Sequence, residues 1–407
     1  MALIVQKFGG TSVGNAERIR DVAEHVGRTR EAGNDVVVVV SAMGKFTDDL
    51  IRMADEVSPT RPPRELDMLL TAGERISMAL VCMALSARGV ESASFTGSQA
   101  GIITDTDHTR AKILEIRPDR IREAIDAGLV PVVAGFQGVS TEKDITTLGR
   151  GGSDVTAVAL AAALKADVCE IYTDVKGVYS ADPRVVPKAR QLAVVSFDEM
   201  MEMAATGSRV LMLRSVEFAR RHGVPLHVRS SFTWEPGTWI VEEDPTMEQA
   251  VVLAITDDAS EAKITVGGVP DRPGVAAQLF RELADRGINV DMIVQNTGTN
   301  GLTDISFTVA MTDLDVAREA CDEVKVEIGA AMVTTDDNIG RVSVVGAGMK
   351  SSPGVTALMF ETLFENGINI EMISTSSIRI SCVLRADRVA DAVRHLHTAF
   401  GLDAASS

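Results

Sequence analysis

The amino-acid sequence predicts an α/β fold with a mostly parallel sheet, followed by two smaller α+β domains. Residues 1–230 alternate continuous apolar, β-branched runs with helical patterns. This alternation is typical of parallel strands that are buried on both faces and connected by helices. Beyond residue 260, one pattern beginning at Ile264 begins again at Val342. Such a long internal repeat indicates two copies of one domain.

Several strands and helices of the first region can be placed from their patterns. The runs ALIVQKF and DVVVVVSA predict the first two strands, and apolar residues at helical spacing between Asn15 and Ala32 predict a helix between them. A second helical pattern begins near Arg64. Further strands are predicted at 129–136, 167–174 and 225–230. Because ligands bind at the carboxyl ends of such strands, the glycine-rich turns there are candidate sites.

The two repeats share their turns. The Pro-Gly turn at 273–274 recurs at 353–354, and the Gly-Ile-Asn turn at 287–289 recurs at 367–369. Each copy reads strand, turn, amphipathic helix, turn, strand and strand, and two copies are too few for a solenoid. The composition changes over 231–260, which we interpret as a connector. The predicted domains are 1–245, 246–335 and 336–407.

Composition excludes several classes of protein. The chain has 407 residues, a formal net charge of -17 and only 4% aromatic residues, which disfavours a nucleic-acid partner. The four cysteines lie far apart without CxxC spacing, so we expect free thiols in a reducing cytoplasm. The sequence has no basic segment before an apolar run and no stretch of about 18 apolar residues. We therefore expect neither a secretion signal nor a membrane span.

The segment KFGGTS (7–12) follows the first predicted strand. Its glycines let backbone amides approach an anion, and Lys7 adds a full positive charge beside a helix N-terminus. These features indicate phosphate binding, although the Walker pattern is absent. The alternative from these residues alone is a tight turn with an exposed lysine.

The segment TTLGRGGSD (146–154) also combines a glycine-rich turn with polar residues. Arg150, Ser153 and Asp154 precede or open a helix that is almost entirely alanine and aliphatic. Amides, a hydroxyl and a cation therefore meet at one helix N-terminus, as an anion site requires. The alternative is that Ser153 or Asp154 only caps the helix.

Two further segments carry acids at the ends of predicted elements. In YTDVKGVYSADPR, Asp174 and Asp182 could hold a ribose or magnesium, and Lys176 and Arg184 could contact phosphates; the alternative is a β-hairpin. In LLTAGERISM, Glu74 stands in an apolar segment, where it could bind a substrate ammonium or serve as a paired or capping charge.

The histidines lie outside these segments, and they predict neither a Ser-His-Asp set nor a zinc site. Phosphoryl transfer depends on positioning and charge neutralisation more than on acid–base groups, so it fits the remaining residues.

The ordered set KFGGTS, LLTAGERIS, AGFQG, TTLGRGGSD and YTDV-GVY-ADPR, followed by two Pro-Gly repeats, resembles the bacterial aspartate kinase (aspartokinase) family. The resemblance covers nearly the whole chain. It implies a three-layer amino-acid-kinase fold followed by two βαββαβ ACT domains. It also implies transfer of the γ-phosphoryl group of ATP, with Mg²⁺, to the β-carboxylate of L-aspartate. The product, 4-phospho-L-aspartate, would feed lysine, threonine and methionine synthesis.

The resemblance assigns roles to individual residues. Lys7 and Asp154 are the implied catalytic residues, Glu74 meets the substrate amino group, and Arg150 binds its α-carboxylate. The implied nucleotide contacts are Lys7, Phe8, Gly9, Gly10, Ser41, Thr173, Asp174, Tyr179, Asp182, Arg184 and Arg209. The implied substrate contacts are Thr47, Glu74, Arg150, Gly151, Gly152 and Ser153. Lysine and threonine are the implied effectors, bound near Asp271, Pro273, Gly274, Asn289, Asp291 and Gln295.

Some positions depart from the family pattern. Lys176 and Ser377 stand where an acid is common, Arg209 where lysine is common, and Ser306 where threonine is common. Family resemblance also implies a homo-oligomer, or an α2β2 assembly if Met247 starts a separate subunit. Two alternatives are a catalytically inactive amino-acid sensor and a kinase of another carboxylate or carbamate acceptor.

Overall fold

The computed structural model describes residues 1–242, 251–296, 298 and 301–403. The chain forms two compact units. The first comprises Met1–Val178, Gln191–Ala204 and Arg209–Thr246. The second comprises Tyr179–Arg190, Ala205–Ser208 and Met247–Ser407. Two segments from within the predicted first domain therefore group with the second unit. Met247 lies outside the described residues.

The first unit is built on an eight-stranded, mostly parallel sheet, which confirms the predicted fold class. Its strands are β1 (Leu3–Phe8), β2 (Asp35–Val40), β3 (Ser92–Phe95), β6 (Val130–Ala134), β9 (Val168–Thr173), β10 (Val194–Ser196), β11 (Leu226–Ser230) and β12 (Thr238–Val241). Their order is β10-β12-β11-β9-β1-β2-β6-β3. Among these eight described strands, the β11–β12 pair alone is antiparallel. The valine-rich strand β2 is almost wholly buried, as a central parallel strand requires.

In the part of the chain that the structure describes, seven helices accompany this sheet: α1 (Ala16–Glu31), α2 (Phe46–Val57), α3 (Pro63–Ala87), α4 (Asp119–Asp126), α5 (Gly152–Leu164), α6 (Phe197–Ala205) and α7 (Leu213–His222). The helix predicted between Asn15 and Ala32 is α1, and the Asn15 side chain accepts a hydrogen bond of 3.0 Å from the Arg18 amide. This bond satisfies one of the unpaired amides at the helix start.

Among the described residues, α3 is the one helix long and apolar enough to cross a membrane by length and composition. It packs instead on α1 and on strands β3 and β6. Two of its acids, Asp67 and Glu74, are also buried within the unit. Buried acids and protein neighbours identify α3 as a core helix of the first unit.

A second, four-stranded sheet was not predicted from the sequence. It has the order β5-β4-β7-β8, with β4 (Ile102–Thr104), β5 (Ile113–Ile116), β7 (Gln137–Ser140) and β8 (Ile145–Thr147). Strands of three or four residues are too short to show a clear alternation of apolar and polar residues. Strand β8 leads directly into the glycine-rich turn before α5.

The first repeat has the predicted βαββαβ order: β14 (Glu261–Pro270), α8 (Val275–Asp285), β15 (Val290–Asn296), β16 (Leu302–Ala310), α9 (Leu314–Ile328) and β17 (Met332–Asp336). The strand order is β15-β16-β14-β17. Ile264, Leu279 and Phe307 are fully buried in the core between the sheet and its two helices.

The second repeat is completed by a strand from outside it. It contains β18 (Ile339–Val345), α10 (Gly354–Glu365), β19 (Met372–Thr375), β20 (Arg379–Arg385) and α11 (Val389–Ala399). Its fourth strand is β13 (Ala254–Asp258), which pairs antiparallel with β18. Strand β13 lies within the predicted domain 246–335 but pairs with a strand of the predicted domain 336–407. Pairing by β13 covers an edge that β18 would otherwise expose.

All four cysteines are free, as predicted, and three of them are buried. Burial raises the pKa of Cys321 to about 12. Burial likewise raises the pKa of Cys382 to about 12. These thiols are therefore protonated, apolar parts of the cores rather than reactive groups.

Candidate active site

Lys7 and Asp154 form an ion pair at the carboxyl edge of the large sheet. Lys7 lies near the end of β1, and Asp154 lies in the first turn of α5. The Lys7 Nζ atom is 2.5 Å from Asp154 Oδ1, and the two side chains are only 11% and 10% exposed. The structure thus brings together the two residues predicted to be catalytic. A charge pair with so little water around it interacts more strongly than a surface pair.

The glycine loop after β1 is fixed by backbone hydrogen bonds to its neighbours. The Gly9 amide donates to the Tyr172 carbonyl over 3.2 Å, and the Ser41 amide donates to the Phe8 carbonyl over 3.1 Å. A Cβ atom at Gly10 would lie 2.9 Å from the Ala42 carbonyl oxygen, so a side chain there requires the backbone to move. The loop therefore sits directly against the end of β2.

Glu74 contributes a buried carboxylate beside this loop. It is only 3% exposed, and its Oε1 accepts a hydrogen bond of 3.1 Å from the Ala42 amide. Its Oε2 is buried and has no hydrogen-bond partner among the described residues. Burial raises the pKa of Glu74 to about 7, although two backbone amides oppose the shift. A buried carboxylate oxygen without a donor is suited to bind an ammonium group.

The turn that carries Arg150 is tightly packed at its glycines. Gly149 and Gly151 have φ angles of 75° and 73°, which other residues rarely adopt. A Cβ atom at Gly151 would lie 2.2 Å from Met212 Cγ. Arg150 itself is exposed, whereas Ser153 is buried in the first turn of α5. The closely packed turn therefore carries the exposed, long side chain of Arg150 just before the N-terminus of α5.

Strand β9 ends beside the glycine loop. The hydroxyl groups of Ser12 and Ser231 lie 2.8 Å apart, and that of Ser231 donates to the Thr173 carbonyl over 3.1 Å. The Thr173 hydroxyl donates to Asp174 over 3.1 Å. These bonds bring the predicted nucleotide residues Thr173 and Asp174 to the edge that carries Lys7.

Other predicted residues of the first unit lie near this edge or on its surface. Thr47 is half-buried in the first turn of α2, and Arg209 is exposed. Lys176, the residue that departs from the family pattern, forms an exposed ion pair of 2.7 Å with Glu235.

Tyr179, Asp182 and Arg184 belong to the second unit. The Arg184 guanidinium lies 2.6 Å from the Asp182 carboxylate. Their segment is anchored by Ala181 and Val186, which are buried in the core of the second repeat. These three predicted nucleotide contacts therefore belong to a different unit from Lys7 and Asp154.

Sequence reasoning missed a buried polar row beneath the site. Gln6, Glu170 and His227 occupy paired positions on three adjacent strands. Gln6 Nε2 donates to Glu170 over 2.8 Å, and Arg229 Nη1 lies 3.2 Å from the same carboxylate. Burial alone would raise the pKa of Glu170, but hydrogen bonds from His227 and Gln6, with Arg229, lower it to about 2. A sequence clue to this row was the presence of a polar residue within the apolar run of each of the three strands.

The predicted effector residues lie in the first repeat. Asp271, Pro273 and Gly274 are exposed in the turn that joins β14 to α8. Asn289 lies just before β15, while Gln295 lies near the other end of that strand. These residues therefore occupy two separate places along the sheet of this repeat.

Asp291 makes an ion pair with Arg341, a contact that the sequence did not predict. Arg341 is only 1% exposed. Its guanidinium also lies 2.8 Å from Glu261 and donates to the Ala205 carbonyl over 2.8 Å. Burial raises the pKa of Glu261 to about 7, and the Arg341 charge opposes that shift.

The second unit contains a buried Ser-His-Asp cluster that the sequence did not reveal. Ser180 Oγ lies 2.9 Å from His397 Nε2, and His397 Nδ1 lies 2.6 Å from Asp403. Ser180 and His397 are fully buried, and the Ser180 oxygen already accepts the Arg190 amide over 3.0 Å. A buried serine cannot meet a substrate, so the cluster joins two segments of the second unit. Ser180 and His397 are 217 residues apart, too far for motif spacing to reveal.

Within the residues that the structure describes, no group of three or more His, Cys, Asp or Glu side chains is arranged to hold a metal ion. A magnesium ion that arrives on nucleotide phosphates requires only one or two protein carboxylates, and Asp174, one of the two acids predicted for this role, is exposed in the first unit.

Comparison with known families identifies the class of the chain. Residues 2–230 match the amino acid kinase family. Residues 264–329 and 342–400 each match an ACT domain. These matches and the fold define an amino acid kinase with two C-terminal ACT domains.

The chain belongs to the aspartokinase family. It is 58% identical to an aspartokinase of Mycolicibacterium smegmatis over 407 residues, which cover 99% of this chain and 97% of the relative. It is 56% identical to an aspartokinase of Corynebacterium glutamicum with the same coverage. It is 53% identical to an aspartate kinase of Pseudomonas putida over 405 residues, covering 99% and 98% of the two chains.

Solved structures of aspartate kinases are also similar to this chain. A crystal structure of aspartate kinase from Synechocystis is similar at 44% identity and a TM-score of 0.56, covering 100% of this chain and 70% of that one. E. coli aspartokinase III in complex with lysine and aspartate is similar at 25% identity and a TM-score of 0.74, covering 97% and 99%. The same enzyme in complex with aspartate and ADP shares the fold at a TM-score of 0.84, with 24% identity and coverage of 98% and 99%.

Proposed function

We propose that this enzyme phosphorylates the β-carboxylate of L-aspartate with MgATP, giving 4-phospho-L-aspartate for amino-acid biosynthesis. The observation that carries the proposal is the buried pair of Lys7 and Asp154 beside the unpartnered Oε2 of Glu74. Full-length identity of 58% to an aspartokinase supports the choice of substrate. The test is aspartate-dependent acyl-phosphate formation, trapped as a hydroxamate with hydroxylamine.

The chemistry requires charge neutralisation rather than a general base. A carboxylate is already ionised at neutral pH and attacks the γ-phosphorus without first losing a proton. The bond between the γ-phosphorus and the bridging oxygen breaks, and ADP is the leaving group. The obstacle is the repulsion between this anion and the phosphates. Lys7 and the amides of Gly9 and Gly10 stabilise the charge on the phosphoryl group in transit. Asp154, 2.5 Å from Lys7, orients the ammonium group.

Aspartate binds through its amino and α-carboxylate groups. Glu74 accepts the ammonium group, because its Oε2 is buried without a donor. Arg150 binds the α-carboxylate through its planar guanidinium, which matches two carboxylate oxygens. The remaining substrate contacts that we propose are Thr47, Gly151, Gly152 and Ser153.

MgATP binds at the same edge, and its magnesium neutralises charge on the phosphates. Lys7, Phe8, Gly9 and Gly10 supply one wall, and Ser41, Thr173 and Asp174 extend it. Contacts from Tyr179, Asp182, Arg184 and Arg209 stay predictions, which the KM for ATP of each alanine variant tests. An unchanged KM for ATP would remove that residue from the nucleotide site.

Regulation by lysine, threonine or both through the ACT domains is part of the proposal. A lysine complex is known for the similar E. coli aspartokinase III. The proposed effector contacts are Asp271, Pro273, Gly274, Asn289, Asp291 and Gln295. Initial rates with lysine, threonine and both together test the effector set.

The assembly and location are likewise proposals. We propose a cytoplasmic homo-oligomer, or an α2β2 enzyme whose smaller subunit starts at Met247. Immunoblotting of the native host with an antibody to the second unit distinguishes the two forms. A single full-length species would exclude the internal start.

A further inference from the structure

We propose that Asp67 is a positioning residue that fixes the turn carrying Arg150 with respect to Glu74. It would thereby set how tightly the α-carboxylate of an α-amino acid is bound. The inference rests on the proposed function, because it needs Arg150 to contact the substrate. It concerns a buried acid that neither the motifs nor the proposed chemistry uses.

Asp67 lies on α3 and is fully buried. Its carboxylate accepts the Thr147 hydroxyl over 2.5 Å and the Thr109 amide over 3.1 Å, and it lies 2.7 Å from His108 Nδ1. Thr147 is the last residue of β8 and comes three residues before Arg150. The Thr147 hydroxyl and the Thr109 amide both approach the carboxylate as donors, and an ionised acceptor makes the stronger hydrogen bonds.

The same turn is held from its other side. Arg214 on α7 donates to the Leu148 carbonyl over 2.8 Å and to the Ala111 carbonyl over 2.9 Å. The Ala111 amide donates to the Thr147 carbonyl over 2.9 Å. Strand β8 and the loop between β4 and β5, which carries Thr109 and Ala111, are therefore joined to each other and anchored to helices α3 and α7 at the point where the turn begins.

Helix α3 connects the two receptors for the amino acid. Asp67 and Glu74 are seven residues apart, which is about two helical turns and places them on one face at roughly 10 Å along the axis. Glu74 would meet the ammonium group directly, while Asp67 holds the base of the Arg150 turn. One rigid helix thus sets the spacing between the two binding groups. Shifts of about 1 Å in such groups are enough to weaken binding.

The experiment compares variants that remove equal bonds from opposite faces of one strand. Asp67→Asn and Thr147→Val weaken the contact that anchors the turn. Thr146→Val is the matched control, because its hydroxyl lies 2.7 Å from that of Thr104 and both residues are fully buried. The expected result for Asp67→Asn and Thr147→Val is a KM for aspartate raised about tenfold, with kcat and the KM for ATP within about twofold. Thr146→Val is expected to lower the melting temperature without changing the KM for aspartate.

A double variant separates positioning from general stability. If Asp67 acts through Arg150, the double variant Asp67→Asn/Arg150→Ala has the same KM for aspartate as the single variant Arg150→Ala. Additive effects, or equal KM increases for Thr147→Val and Thr146→Val, would overturn the inference. If Asp67→Asn does not fold, the comparison of the two threonine variants decides. A folded wild-type enzyme without aspartate-dependent turnover would refute the proposed function, and this inference with it. An active wild type with a normal KM in Thr147→Val would refute the inference alone.

Discussion

The ammonium group of Lys7 lies 2.5 Å from the carboxylate of Asp154, across the gap between the end of β1 and the start of α5. The local sequence around each residue does not by itself show what that residue does. A lysine before two glycines can be an ordinary turn, and an acid in a first helical turn is often only a cap. Their contact at one edge of a parallel sheet turns two ambiguous segments into a single site. The predictions below test what each part of this site does.

Lys7→Met should lower kcat about 10²–10³-fold, because it removes a full positive charge from the phosphoryl group in transit. The hydroxamate assay measures the rate, and thermal melting checks the fold. Arg117→Ala is a suitable control, since it breaks an exposed ion pair with Glu115, whose side chains are 64% and 51% exposed. A Lys7→Met enzyme as active as wild type would remove Lys7 from the catalytic site.

Glu74 should give aspartate utilisation a distinct pH dependence. Burial raises the pKa of Glu74 to about 7, so the anion that binds ammonium forms only as the pH rises through this value. We expect kcat/KM for aspartate to rise about tenfold between pH 6 and pH 8, because the charged fraction rises by that factor. Glu74→Gln should be slower at pH 8 and should lose this pH dependence. An unchanged profile in Glu74→Gln would assign the titration to another group.

The raised pKa of Glu74 also predicts that the stability contributed by this residue falls as the pH rises, whereas activity increases. A carboxyl whose folded pKa is raised binds more protons when folded than when unfolded, so its protonation favours the folded state. That favourable contribution is complete below the unfolded pKa and is lost as the pH rises through about 7. Glu74→Gln should therefore gain melting temperature over wild type more at pH 8 than at pH 5. Calorimetry at the two values measures this, and an equal difference at both would contradict it.

The Lys176–Glu235 pair should tolerate exchange of its charges. The side chains are 48% and 42% exposed, so the pair is expected to contribute no more than about 1 kcal/mol. Lys176→Glu places two acids together near Asp174, which should raise the KM for ATP by about twofold to fivefold without changing kcat. Adding Glu235→Lys should restore the KM. A KM that stays high in the double variant would show that position 176 acts on the nucleotide directly.

Arg341→Met should strongly destabilise the second unit. It leaves the carboxylates of Glu261 and Asp291 without their shared cation, and breaking a buried pair in this way costs about 3–5 kcal/mol. The loss should be greater at pH 8 than at pH 6, because Glu261, with a pKa of about 7, needs no cation once protonated. Arg394→Met is the control, since its partner Asp391 is exposed. Similar melting temperatures for the two variants would contradict this account.

The parallel sheet and the paired repeats were predictable because they depend on local patterns. The valine run of β2 and the helical spacing of α1 each appear within one short segment. The Pro-Gly turn at 273–274 recurs at 353–354 within a matching stretch of sequence. The pairing of β13 with β18 was not predictable, because a segment of five residues with ordinary strand character does not indicate which sheet it joins. The short strands β4, β5, β7 and β8 carry too few residues to show a period.

The site itself was predictable only in part. Lys7, Glu74 and Asp154 stood out because charged residues in apolar or glycine-rich segments are unusual. The polar row around Glu170 and the cluster around Asp67 depend on residues far apart in sequence, such as Asp67 and Thr147. Arg341 and His397 are also completely buried by long-range packing. No spacing rule links such residues, because their proximity is a product of the fold.

The most direct test is hydroxamate formation by the purified, folded wild-type enzyme with ATP, magnesium and hydroxylamine. We predict a signal that depends on L-aspartate, saturates with it and is absent without ATP. Succinate, which lacks the amino group that Glu74 binds, should give almost none. Folded enzyme that forms no aspartate-dependent hydroxamate, or that uses succinate equally well, would contradict the assignment of Lys7, Glu74 and Asp154 to an aspartate kinase site.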